Sequence, residues 1–127
     1  QHEAPHYDIS LLHQLLMGSS GPVFGAAKRG RAAALSVHAI RDMTDQGTRL
    51  LMLRRLTAHY VGQAMAIPIP NQRQEAHCTN LCAMRPAENL AMLIAYASQE
   101  LDAGILYCDQ CQNEMTQRLV GSHFGHN

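Results

Sequence analysis

Apolar residues in this chain recur mostly at three- and four-residue intervals, a period that predicts helices. Leu11, Leu12, Leu15 and Leu16 follow Asp8, which stands where an N-cap belongs, so a short first helix is expected, ended by Gly18-Ser19-Ser20-Gly21-Pro22. A second helix is expected from Gly25 or Ala26 to Met43. Ala33, Val37 and Ile40 form its apolar stripe, with Lys28, Arg31, His38, Arg41 and Asp42 opposite and Gly30 as its weak point. A third is expected over about Arg49 to Met65, capped by Thr48. Its apolar face is Leu50, Leu53, Tyr60, Val61 and Ala64; Arg55 and His59 point away, and Arg54 lies at the edge of that face.

Ile67-Pro68-Ile69-Pro70-Asn71 interrupts the pattern, because each residue before a proline is pushed to extended geometry. It is the best candidate linker. Beyond it, Leu90, Leu93, Ile94, Ala97 and Leu101 define a fourth helix from about Pro86 to Asp102, with Gly104 as its stop. A fifth covers about Asn113 to Val120. The predicted fold is therefore all-α: a small helical domain with a C-terminal helical hairpin. A basic helical region would span residues 1–66 and a metal-binding helical region residues 67–127, within one compact domain. Composition fits that picture: among 127 residues there are two Phe, four Tyr and no Trp, so Met, Leu and Ala must do most of the packing.

The four cysteines name a specific chemistry. Cys78 and Cys82 form a C-x3-C pair and Cys108 and Cys111 a C-x2-C pair, 25 residues apart. Two half-sites of this kind are the spacing of a tetrahedral zinc site. Ordinary buried thiols, two disulfides, or a redox pair at Cys108 and Cys111 are the alternatives. Disulfides need an oxidising compartment, and a redox C-x2-C usually sits in a βαβ setting without a second pair. The geometry is tight. The intervening helix would be roughly 25 Å long, and eight flanking residues would reach back roughly 26 Å when extended. Failing that, histidines, with His77, His123 and His126 as the local candidates, or a second chain would have to complete the sites. Four thiolates leave no open coordination position, so the zinc is expected to be structural, stapling a thin core.

Charge is balanced overall but not along the chain. Between Lys28 and Arg73 eight basic residues face only Asp42 and Asp45, whereas the remainder beyond Arg73 is acidic. Nine of the ten basic residues are Arg, whose planar fork suits phosphates and guanine edges. Lys28, Arg29, Arg31, Arg41, Arg54 and Arg55 are the candidate nucleic-acid contacts. No P-loop forms around Gly25 and Lys28, and no H-E-x2-H occurs. No run of about 18 apolar residues exists, so no membrane span is expected, and a cytoplasmic location is expected from the cysteine usage and the lack of a secretory signal.

An Arg-rich helical part followed by two cysteine pairs resembles small zinc-bearing bacterial and phage transcription regulators, including late-gene antiterminators. The C-x2-C-x-G-x-G knuckle common there is absent, since Gln112-Asn113 follow Cys111. The expectation is a non-enzymatic, zinc-stabilised regulator working with nucleic acid or the transcription machinery, its acidic C-terminal half open to a protein partner and homo-oligomers possible. The alternatives are a protein-binding adaptor or inhibitor docking on an acidic partner, and a thiol redox protein using Cys108 and Cys111.

Overall fold

The computed structural model describes residues 6–73 and 78–124, with side chains described as far as Val120. Five strands come first: β1 (Asp8–Leu12), β2 (Leu16–Gly18), β3 (Gly21–Val23), β4 (Gly25–Lys28) and β5 (Ala32–Ser36). Three helices follow: α1 (Gln46–Ala64), α2 (Leu90–Ala103) and α3 (Asp109–Phe124). The all-α expectation is thus corrected to a mixed α/β fold.

The correction falls on the first two predicted helices. β1, β5 and β4 form one sheet in that order, and β2 and β3 form a small hairpin. β1 pairs parallel to β5, from Asp8 opposite Ala32 to Leu12 opposite Ser36. β4 pairs antiparallel to β5, from Gly25 opposite Leu35 to Lys28 opposite Ala32. Ala32 to Ala34 have high intrinsic helix propensity, yet they lie in the central strand. Pairing on both sides and burial of Ala33, Leu35 and Ser36 outweigh tenths of a kcal/mol per residue of local preference. Gly21 and Gly30, both at positive φ, mark the turns that make helices impossible there.

α1 lies across β5, β4 and β1 and packs against α2. Leu35 and Ile40 meet Met52 and Leu56 of α1 and Leu93 and Ala97 of α2 in one core. The helix starts earlier than expected. Asp45, not Thr48, is its cap, accepting from the Thr48 amide at 3.0 Å and from the Thr48 hydroxyl. Its buried face is also rotated from the expected one. Leu50 is 55% exposed, whereas Arg55 and His59 are buried. Apolar spacing misleads here because two polar side chains have internal partners, which makes their burial tolerable.

α2 starts at Leu90 rather than near Pro86, capped by Asn89, whose side chain accepts from Met92 N at 2.9 Å. It ends as expected: Gly104 adopts the left-handed conformation and its N–H returns to Leu101 O. The Ile67–Pro68 segment is packed, with Ile67 fully buried and Ile69 N donating to Glu114 of α3. Ile67 joins Met65, Met84 and three of the cysteines in a second core cluster. Among the described residues no helix is long and apolar enough to cross a membrane.

Two close approaches need glycine. A Cβ at Gly25 would lie 2.6 Å from Tyr60 Cζ, and one at Gly62 would collide with the Met84 thioether. Gly62→Ala would force Met84 out of the second core, so a loss of about 1–3 kcal/mol is expected. Urea unfolding would show this as a lower midpoint at unchanged slope.

Candidate metal centre

Cys78 and Cys82 lie in the irregular stretch before α2, Cys108 directly precedes α3, and Cys111 is in the first turn of that helix. Ala83 N donates to Leu106 O at 2.7 Å, which clips the two cysteine segments together. The reach problem is solved by the late start of α2. Fourteen helical residues span only about 21 Å, and residues 83–89 and 104–107 give the return ample slack.

All four sulfurs lie within 4.8 Å of one another. Cys78 Sγ and Cys108 Sγ are 3.8 Å apart. A tetrahedron with Zn–S bonds of about 2.3 Å has edges of about 3.8 Å, whereas a disulfide would require about 2.05 Å. No cysteine is disulfide-bonded. Cys78, Cys82 and Cys111 are fully buried. The cluster is a zinc site of structural type, closed by its own four ligands. His77 and His126 lie outside the described residues, as does the side chain of His123; the sulfurs converge without them.

Backbone and side-chain donors surround the sulfurs. Cys82 Sγ accepts from Cys108 N at 3.2 Å and Met84 N at 3.4 Å. Cys108 Sγ accepts from Cys111 N and from Asn80 Nδ2, each at 3.4 Å. Arg73 Nη2 donates to Cys111 Sγ at 3.1 Å. These donors disperse the charge of a four-thiolate centre and fix its ligands. Arg73 is itself held by Glu114, Nε to Oε2 at 2.8 Å, and both side chains are buried. The charge pattern counted Arg73 with the basic surface and gave no sign of this role.

The crowded thiols titrate far apart. Hydrogen bonds from Cys111 and Cys82 hold Cys78 well below the usual thiol range. Cys111 is pushed up, first by its hydrogen bond to Cys78 and then by that to Cys82 and by burial. The Cys111 hydrogen bond favours the Cys82 thiolate, but the bond Cys82 gives to Cys78 and its burial outweigh it, so Cys82 is pushed up to about 12. Zinc must displace these protons.

Of the candidate nucleic-acid residues, Lys28, Arg29, Arg31, Arg41 and Arg54 are exposed and Arg55 is buried. Lys28 ends β4, Arg29 and Arg31 flank the Gly30 turn, Arg41 lies between β5 and α1 beside Asp42 at 3.7 Å, and Arg54 is exposed on α1. Arg29 Nη2 is engaged by Pro68 O at 2.7 Å. Arg55 is 3% exposed and faces inward. Its Nε and Nη2 donate to the two oxygens of Glu100 at 3.0 and 3.1 Å, and Nη2 also meets Arg85 O and Cys82 O at 2.8 and 3.2 Å. The expected outward guanidinium is therefore an internal strut between α1, α2 and the cysteine segment.

The mixed sheet over a long helix is an α/β arrangement that is also found in a solved structure. The particular likeness is to archaemetzincin from Archaeoglobus fulgidus, solved in complex with malonate: TM-score 0.63 at 19% identity, over 87% of this chain. This chain spans 61% of the length of that protein. No protein-family model matches the sequence, and no curated protein matches it. The likeness corrects the expectation of a transcription regulator, together with its adaptor and redox alternatives. The same likeness corrects the expectation that the chain is not an enzyme.

Metzincin peptidases carry H-E-x2-H-x2-G-x2-H, beginning on the helix that holds their catalytic zinc. His59 and Gly62 of α1 have the spacing of the second His and the Gly of that pattern, and Arg55, Leu56 and Met65 fall at the spacing of its other three residues.

A strong chelator is expected to remove one zinc per chain, expose four reactive thiols and collapse the second core, as loss of thiol protection and of near-ultraviolet circular dichroism would show. Because zinc displaces thiol protons, among them those that the upward shifts hold on Cys82 and Cys111, its affinity is expected to rise with pH between 6 and 8. Competition with a chromophoric chelator, corrected for the chelator's own protonation, measures this.

Proposed function

We propose that this chain is a zinc-stapled, metallopeptidase-like domain that engages polypeptide, seating an extended peptide along the free edge of β4 above α1. The observation that carries this reading is the position of β4. Among the described residues it ends the sheet, and α1 packs beneath it through Tyr60 against Gly25.

The ladder phase indicates which backbone groups are available. Ser36 N donates to Phe24 O at 2.7 Å, so Phe24 and Ser36 form a hydrogen-bonded pair. By alternation Ala26 and Lys28 also bond inward to β5, while Gly25 and Ala27 turn their N–H and C=O to the open side. Such an edge accepts a peptide as an added strand, with pockets for alternate side chains giving selectivity. A suitable pocket adjoins the start of β4. It is a cavity of about 300 Å3 with Leu15, Val23, Phe24 and Leu90 among its apolar lining and Ser36, His38, Glu88 and Asn89 as polar groups. Leu15 and Val23 remain 45% and 38% exposed. Its size suits one large apolar side chain.

Fluorescence anisotropy with a panel of labelled, unstructured peptides containing Leu, Phe or Met tests the reading. Saturable binding with little salt dependence is expected. Ala27→Pro removes an outward N–H on an edge strand and is expected to weaken binding at least tenfold with little change in melting temperature. Val23→Glu is expected to weaken it by charging the cavity wall. Absence of binding across the panel would contradict the proposal. Mass spectrometry of the same mixtures records whether bound peptide is cut.

A further inference from the structure

We infer that Arg55 has taken the place of a metal on α1: the guanidinium cation, and not a second zinc, neutralises the buried acid between α1 and α2, so the chain carries a single zinc, in its cysteine site. The inference concerns metal content and stands independently of peptide binding.

A catalytic zinc on the helix of a zinc peptidase needs two histidines one turn apart and usually a third protein ligand, with a carboxylate beside it as general base. The side chains of α1 do not fit that group. Position 55 is already cationic and has no lone pair to donate. Leu56 cannot act as a base, and Met65 offers a thioether that is 7% exposed in the second core. His59 is the nitrogen ligand that α1 itself offers, and both of its ring nitrogens are engaged. Nδ1 lies 2.9 Å from Ala83 O, so it must carry the proton and donate. Nε2 then accepts from Gln63 Nε2 at 3.0 Å. That arrangement leaves no lone pair for a metal.

The space is also filled. The cavity lined by Arg55, Leu56, His59, Tyr60, Phe24, Ala87 and Leu93 has a volume of about 20 Å3, which is room for about one water. A hydrated metal with a substrate group would not enter it. The local charge is balanced without one. Glu100 is 3% exposed, receives two hydrogen bonds from Arg55, and lies 3.7 Å from Arg85 Nη2. Arg85 in turn stacks over Tyr96 at 3.5 Å. Adding a divalent cation one turn from Arg55 would place like charges together in a buried setting.

Titration of the chelator-stripped, renatured chain with Co2+ under reducing conditions reads this directly. Saturation at one equivalent is expected, with an intense sulfur-to-cobalt charge-transfer band and no further tight uptake. Native mass spectrometry of the freshly purified chain is expected to give the mass of one zinc. A second tight equivalent with the weaker spectrum of nitrogen and oxygen ligands, lost in His59→Gln, would overturn the inference. The role of the cation is read separately. Arg55→Met takes both close hydrogen bonds from the buried Glu100 carboxylate and is expected to lower the melting temperature by more than Arg55→Met/Glu100→Met does. An equal fall in both variants would also overturn it.

Discussion

Convergence of four sulfurs within 4.8 Å is the constraint on which the C-terminal half of this fold depends. Cys78 and Cys82 arrive from an irregular stretch that has little regular secondary structure to hold it. Cys108 and Cys111 open α3, and α2 lies between the pairs. A shared centre, with the Ala83–Leu106 backbone hydrogen bond beside it, draws these segments back on one another. Its effect extends past the ligands. Ile67, Met65 and Met84 pack against the cysteines, and Met84 in turn fits over Gly62 of α1. In a 127-residue chain without tryptophan, metal affinity replaces part of the apolar burial that a larger core would supply.

Two buried ion pairs carry that order outward. Arg73 and Glu114 join the 67–73 segment, α3 and Cys111. Arg55 and Glu100 join α1 and α2 to the Cys82 carbonyl. A buried pair is weak evidence for stability, because desolvation offsets much of the attraction. Both pairs here have further hydrogen-bond partners, which is what makes their burial tolerable and ties them to one register. The zinc centre and the sheet-bearing core are thereby mechanically continuous through Arg55.

The cysteine site was legible in the sequence because its signal lies in residue type and spacing, which no tertiary context has to supply. The helices after residue 45 were legible for a similar reason: their apolar positions repeat over several turns, and Gly104 marks an end by its backbone freedom. The strands were not legible. β2, β3 and β4 have three or four residues each, and β5 is rich in alanine, so neither length nor propensity separates them from short helices. Their state is fixed by pairing partners that local pattern does not reveal. The same limit explains the inverted reading of α1. Periodicity sorts side chains by polarity, and Arg55 and His59 are polar residues that face inward toward specific acceptors.

X-ray absorption at the zinc edge of the native protein tests the central claim most directly. The geometry requires a first shell of four sulfurs at about 2.3 Å with no nitrogen or oxygen ligand. A first shell containing histidine nitrogen or water oxygen, or a chain that folds stably with no zinc bound, would contradict it.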